Sequence, residues 1–310
     1  MFGNKRYRTL NYELRKIFGQ KVMKLSLNGG FTCPNRDGTI GIEGCIFCSE
    51  EGSGEFTEDS KFSITEQMQK QKEIMSKKWD TTYLIPYFQS FTSTYDTLGN
   101  LKKKYEEALN FKGAVGLAVA TRPDCLENDK IELMTDLNKK TYLWIELGLQ
   151  TIHKKSADFI RRGYPLEIFE ETLEKLNKNK IKTVVHLIVG LPGESRKDIL
   201  ETVKYISKKN IWGVKFHLMH VLKNTDLQRY YEKTNFHLLG KEEYINIICD
   251  ALELIPEDMV VHRVTGDGRK SDLIGPRWSL DKLRVISGID MEMKKRNSYQ
   301  GKYCTLPQKS

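Results

Sequence analysis

Six runs of nearly unbroken apolar residues divide the first 221 positions: 21–28 (KVMKLSLN), 82–91 (TYLIPYFQSF), 113–121 (GAVGLAVAT), 142–150 (YLWIELGLQ), 182–190 (KTVVHLIVG) and 214–221 (VKFHLMHV). Helical spacing fills the gaps at 65–79, 98–110, 129–137, 166–177 and 196–208, the last with Ser195 placed as its N-cap. Strands that read as continuous hydrophobic stretches are buried on both faces, and regular strand–helix alternation makes such a sheet parallel. The fold class expected is therefore α/β. Six strands suit a partial (β/α)6 barrel of the TIM-like kind, since a closed barrel needs eight.

The flanks divide the chain further. Residues 1–20 read as a helical extension, with a helix over 6–18 ended by Gly19. The barrel occupies 21–221, and 222–310 form an appendage. That appendage carries a helix at 241–254, a glycine-containing segment at 260–268, a helix at 280–295 and a basic tail with Lys294, Lys295, Arg296, Lys302 and Lys309.

Chemistry concentrates in the loop after the first strand. Cys33, Cys45 and Cys48 lie in FTCPNRDGTIGIEGCIFCSEEG, among Pro34, Gly38, Gly41 and Gly44, which prevent regular structure and let the backbone wrap tightly. A closed zinc or iron–sulfur site takes four ligands. Three thiolates leave one metal position open to a reactive molecule, and a loop at the C-terminal end of a barrel strand is where such folds place their chemistry. Phe47, between the last two cysteines, is placed to limit solvent access. The alternatives are a zinc site completed by a histidine or Cys125, and unrelated buried thiols. Cys125, Cys249 and Cys304 are too scattered to make a second cluster.

The later strand ends supply further candidates. Pro123 biases Arg122 towards an extended backbone, so that its guanidinium points into the barrel mouth to grip a carboxylate or phosphate, or else pairs with Asp124. Glu146 interrupts an apolar strand; a buried carboxylate needs a partner, so it faces the interior. Arg162 reads on charge alone as a basic helix end. In the sixth strand, alternation sets His217 and Met219 on one face and His220 on the other. His153, His237 and His262 carry no clear signal. Walker, Ser-His-Asp and His-Glu-x-x-His patterns are absent from the sequence.

Bulk properties narrow the partners. Lys plus Arg number 50 against 41 acidic residues, a formal charge of +9 that suits a polyanion such as tRNA. No stretch reaches ~20 apolar residues, so no membrane association is expected. The first residues lack an apolar signal core, and six cysteines in a long chain favour metal or redox chemistry over disulfides. A cytoplasmic setting follows.

The cysteine loop, taken with the strand ends, resembles the radical S-adenosylmethionine (SAM) enzymes. Their common spacing is Cys-x3-Cys-x2-Cys. The eleven residues between Cys33 and Cys45 instead resemble the branch containing the Elongator catalytic subunit, as does the Thr121-Arg122-Pro123-Asp124 run. The wording of the loop is closer still to the bacterial YtqA/MnmL group. The resemblance implies that Cys33, Cys45 and Cys48 hold a [4Fe–4S] cluster and that SAM chelates its free iron. Where many relatives carry Gly-Gly-Glu, this chain has Thr92, Ser93 and Thr94. Glu146, Gln150 and Thr151 are implied near SAM, Arg162 at its carboxylate, and His186, Gly190 and His217 about its adenosine. An electron donor such as flavodoxin or ferredoxin is implied, and so is a tRNA wobble-uridine substrate. Rival expectations are a radical SAM enzyme acting on a small metabolite and a non-catalytic metal- or RNA-binding protein.

Overall fold

In the computed structural model, which describes residues 1–52, 57–266 and 268–305, seven parallel strands form one curled sheet. These are β1 (Val22–Leu27), β2 (Tyr83–Phe88), β3 (Gly116–Thr121), β4 (Tyr142–Gln150), β5 (Lys182–Val189), β6 (Gly213–Leu218) and β8 (Val260–Arg263), in that spatial order. An order without reversal, with helices in the crossovers, is that of an open barrel rather than a doubly wound sheet.

The seventh strand corrects the expected six. It comes from the stretch assigned to the appendage and pairs with β6 through Gly213–Val260 and Val214–Val261. Four residues ending in His262 and Arg263 are too short and too polar to stand out as a buried strand. The run at 214–221 also breaks. β6 ends at Leu218, and β7 (Val221–Leu222) pairs antiparallel with β9 (Leu273–Gly275) in a separate ribbon.

Pro86 sits inside β2, where a proline can give no ladder hydrogen bond. β1 pairs along the whole of β2, whereas β3 pairs regularly only with Tyr87 and Phe88. The gap is bridged by Leu84, which exchanges backbone bonds with Gly113 and Val115.

The outer layer comprises α2 (Ile64–Ser76), α3 (Leu98–Leu109), α4 (Asn128–Asn138), α6 (Leu166–Lys178), α7 (Arg196–Ser207) and α9 (Lys241–Leu254), followed by α10 (Lys282–Lys295) packed on α9. Their apolar faces share one large core with the outward side chains of the strands. The capping box of Ser195 with Asp198 starts α7 as expected. The short helices α5 (Lys154–Phe159) and α8 (Asp226–Thr234) were not anticipated.

A second, smaller core fills the barrel itself. Leu10, Leu14 and Phe18 come from α1 (Leu10–Phe18), which begins four residues later than the sequence suggests, at the Thr9 cap, and ends at Gly19. They pack with Val22, Ile85, Trp144 and Trp212. Helix α1 touches both β1 and β8, and Val261 donates its N–H to the Arg8 carbonyl. The N-terminal segment thus spans the gap between the first and last strands and plugs that end of the barrel. Among the described residues no helix is long and apolar enough to cross a membrane. Ser53–Phe56, which follow the cysteine loop, and Lys309 of the basic tail lie outside the described residues.

Candidate active site

A cavity of about 500 Å³ opens at the C-terminal ends of the strands. Cys33, Cys45, Cys48 and Phe47 line its rim, and Glu146, Lys215, Tyr87 and His186 line its interior.

The cysteine loop is held by its own backbone and by polar side chains. The Cys33 carbonyl accepts from Arg36 N (2.8 Å), the Pro34 carbonyl from Ile40 N (2.8 Å), the Asn35 carbonyl from Gly44 N (2.8 Å) and the Cys45 carbonyl from Cys48 N (3.0 Å). Arg36 Nη2 donates to the carbonyls of Cys48 (3.0 Å) and Ser49 (2.6 Å). The Asn35 amide donates to the Arg161 carbonyl (2.7 Å) and approaches the Cys45 sulfur at 3.6 Å. It therefore orients that sulfur from behind.

The donor set fits a thiolate-bound cluster. Among the described residues only His153, Asp198 and Glu201 bring three ligand-type atoms within 4.8 Å of one another. Three thiols lining one cavity are the donor set such a cluster takes, with one metal position left over. Alone, the Cys45 thiol is pushed up to about 12, by burial first and by Cys48 next. A cationic metal core removes that obstacle to the thiolate. The His153 trio has an ordinary explanation, because Asp198 caps Ser195 and its carbonyl pairs with His153 Nε2 at 2.9 Å.

Gly163 supports this arrangement from the neighbouring loop. Its φ is +82°, and a Cβ there would stand 2.6 Å from Asn35 Oδ1 and 3.2 Å from Arg122 Nη2. Gly163→Ala is expected to cost roughly 1–3 kcal/mol through backbone strain and collision, and to lower iron retention by displacing Asn35. Melting temperature and iron per chain after reconstitution check this; a variant that matches wild type on both refutes it.

The two arginines are committed more fully than anticipated. Arg122 takes the alternative reading: Nε and Nη2 clasp Asp124 at 2.9 and 2.7 Å, and Nη1 donates to the Arg162 carbonyl at 2.8 Å. Arg162 donates through Nη1 to the carbonyls of Leu149 (3.0 Å) and Thr151 (2.8 Å), and through Nε to Tyr164 O (3.0 Å). Both guanidinium groups stack on Tyr164, whose ring lies 5.0 and 4.8 Å away. They brace the rim, although both also line the cavity.

The remaining candidates divide. Thr92, Gln150, His186 and His217 line the cavity, as do Arg122, Glu146 and the cysteines. Gln150 has φ +63° at a register shift in β4, which turns it inward. Ser93, Thr94, Thr151 and Gly190 are not among the lining residues. Thr94 Oγ1 bonds Thr121 Oγ1 and the Cys125 carbonyl, both at 2.6 Å, and Thr151 donates to Glu194 at 2.6 Å. Gly190 packs beside Leu239. These four hold the turns behind the cavity wall. His220 is a further correction: it lines the cavity together with His217 and Met219, because the strand ends at Leu218 and alternation stops there.

Below the rim lies a group that sequence reasoning missed except for Glu146 and His186. The Glu146 carboxylate is fully buried and receives Trp144 Nε1 (2.8 Å), His186 Nε2 (2.8 Å), Lys24 Nζ (3.5 Å) and Lys215 Nζ. Lys215 also donates to Tyr87 OH at 2.9 Å. Burial raises the Glu146 pKa, but Lys215, Lys24 and His186 outweigh it, so the carboxylate stays well below its usual range. The signal available in the sequence was a lysine at an inward position of two apolar strands, VMKLSL and GVKFHL.

Burial, reinforced by Lys215, pushes His186 down to about 4, and burial also holds His217 and His262 well below the ordinary histidine range. The unfolded chain then takes up protons that the folded chain refuses. Stability is expected to fall as pH drops from about 6.5 towards 4 and to be flat above, with His186 contributing roughly 3 kcal/mol. Urea midpoints across that range check it. His186→Gln must show a shallower slope, and an unchanged slope would count against the assignment.

Residues 32–206 match the model of the Radical SAM superfamily, and 211–295 that of the Radical_SAM C-terminal domain. YtqA of Bacillus subtilis is 44% identical over 299 residues, covering 96% of this chain and 93% of its own. The tRNA uridine(34) acetyltransferase of Methanocaldococcus jannaschii is 28% identical over 156 residues, 49% of this chain and 28% of that protein. Among solved structures, the archaeal Methanocaldococcus infernus Elp3 superposes with a TM-score of 0.69 at 19% identity, covering 90% of this chain and 64% of that one.

Proposed function

The chain belongs to the radical SAM superfamily, and on that footing we propose that it converts a 5-carboxymethylaminomethyl substituent on the wobble uridine of tRNA to 5-aminomethyl. It is a radical SAM enzyme, and the family uses a [4Fe–4S] cluster and SAM. The observation that supports the substrate is the similarity, across 49% of this chain, to an enzyme whose name places it at uridine 34 of tRNA. The formal charge of +9 agrees with a polyanionic partner.

Cys33, Cys45 and Cys48 would hold the cluster, which together with SAM would supply the one-electron chemistry for hydrogen abstraction from the carbon next to the amine, the start of loss of the carboxymethyl unit. The protein's own part is to bind, orient and keep water out. Asn35 and Arg36 fix the cysteine loop, and Phe47 covers it. Thr92 and Gln150, which line the cavity, would present polar atoms to SAM. Arg122 and Arg162 hold the rim in shape through Tyr164 and the backbone. A one-electron donor of the flavodoxin or ferredoxin class completes the requirement.

Mass spectrometry of wobble nucleosides tests this reading. A strain lacking the gene is expected to accumulate the carboxymethylaminomethyl form, and reconstituted protein with SAM and a reductant to convert it. An unchanged wobble pattern in both experiments removes the tRNA assignment and favours a small-metabolite substrate for the same chemistry.

A further inference from the structure

The loop that carries the cysteines also carries an apolar tip. Ile40 and Ile42, on the stretch between Cys33 and Cys45, are 48% and 78% exposed. Neither belongs to a hydrophobic cluster of the protein. One exposed apolar side chain is ordinary. Two branched ones a single residue apart, in a turn whose backbone a polar residue would serve as well, are not explained by folding.

The tip is held in one shape by its own hydrogen bonds. The Pro34 carbonyl accepts from Ile40 N (2.8 Å) and Gly41 N (3.2 Å), Gly38 N donates to the Gly41 carbonyl (3.2 Å), and Thr39 N donates to Asp37 Oδ1 (3.0 Å). Thr39 Oγ1 and Tyr95 OH share a hydrogen bond of 2.9 Å, which ties the tip to the turn after β2. Side chains presented by a fixed backbone lose little freedom when a partner covers them.

The tip stands close to the metal ligands. Ile42 is three residues from Cys45, so their Cα atoms are at most about 11 Å apart. Ile40 leans toward Gly163, where an added Cβ would lie 3.3 Å from Ile40 Cγ2 and 2.6 Å from Asn35 Oδ1. The Asn35 amide in turn approaches the Cys45 sulfur at 3.6 Å. Yet Cys33, Arg36, Gly44, Cys45 and Cys48 line the cavity, whereas Ile40 and Ile42 do not. The pair is therefore near the cluster ligands and outside the cavity.

Each cleavage of SAM consumes one electron, delivered to the cluster from outside. Electron transfer slows steeply with distance, so the donor must come near the cluster without entering the cavity. Such encounters are small and transient, burying less than about 1,200 Å² in total. We propose that Ile40 and Ile42 form the docking spot of a one-electron donor protein of the flavodoxin or ferredoxin class. One electron leaves the docked donor and reduces the oxidised cluster by one, with no bond made or broken. RNA suits the spot less well, because positions 37–43 (DGTIGIE) offer no cation to a phosphate and no aromatic face to a base. The docking spot depends on the cluster and not on which substrate the enzyme takes.

The test compares wild type, Ile42→Gln and the conservative Ile42→Leu, each reconstituted anaerobically and checked for iron content and melting. Release of 5′-deoxyadenosine is timed with three electron sources: a pre-reduced flavodoxin, a pre-reduced bacterial ferredoxin, and dithionite, which needs no docking surface. Binding of the two donor proteins, fluorescently labelled, is followed by anisotropy. Ile42→Gln is expected to raise the KM and the Kd for the better donor protein about fivefold or more, with Ile42→Leu close to wild type. The rate with dithionite should not change. An equal loss with dithionite, an unchanged KM and Kd for both donor proteins, or no electron delivery to wild type by either overturns the docking spot. So does an Ile42→Gln variant that takes electrons normally but loses affinity for an anticodon stem-loop RNA, which would make the tip an RNA contact.

Discussion

Cys45→Ala is expected to abolish SAM cleavage and to leave a protein that folds. The Cys45 sulfur is positioned by the neighbouring loop: it approaches both the Asn35 amide and the Arg161 carbonyl at 3.6 Å. Losing one of three thiolates leaves a cluster with two protein ligands, too few to hold it against exchange. Iron and sulfide per chain should drop to near zero, the brown colour should not develop, and release of 5′-deoxyadenosine should fall to background. The loop itself keeps its backbone bonds, so melting of the metal-free protein should shift little. Cys249→Ala and Cys304→Ala serve as controls, because Cys249 sits in the core between α9 and α10 and neither lines the cavity. Full iron content and SAM cleavage in Cys45→Ala would refute the assignment of the cluster and all chemistry built on it.

Much of this arrangement is legible in the chain itself. The first six strands and the helices between them announce themselves by period, because a strand covered on both faces has no polar side to show. The cysteine loop is equally open to reading, since ligand spacing within a loop is local information. What stays hidden is made by contacts distant in sequence. β8 is recognisable only once β6 offers an edge, and α1 becomes a plug only once β1 and β8 stand far enough apart to need one. Arg122 and Arg162 show the same limit. Their place at the rim follows from the strand ends, and the Arg122–Asp124 pair from nearness in sequence, but the carbonyls that occupy the rest of the two guanidinium groups belong to Leu149 at the end of β4, to Thr151 just after it, and to Arg162 and Tyr164 beyond α5. Thr94 and Thr151 likewise sit in the right turns with their hydroxyls directed to other partners. The interior charges are the clearest case. Lys24, Glu146 and Lys215 are 69 or more residues apart from one another or from their common partner, and each alone looks like a flaw in an apolar strand.

That cluster leads to the second large effect. Glu146→Leu is expected to destabilise the fold by about 3–5 kcal/mol, because it strands the Lys215 ammonium in a site where its side chain is 2% exposed. Lys215→Met should cost less, since Glu146 keeps Lys24 and His186. Combining Glu146→Leu with Lys215→Met removes both charges and should recover most of the loss, leaving the double variant more stable than Glu146→Leu alone. Guanidinium unfolding of the four proteins measures this, and simple addition of the two single effects would contradict the pairing. Function then separates two roles for the same residues. If the pair existed to hold the barrel together, the refolded double variant would keep its activity. If instead the pair keeps the cavity wall in the shape that substrate needs, the double variant should be stable and retain its cluster, yet lose turnover by at least a hundredfold. Such a result would explain why this barrel keeps an ion pair where leucine and methionine would pack as well.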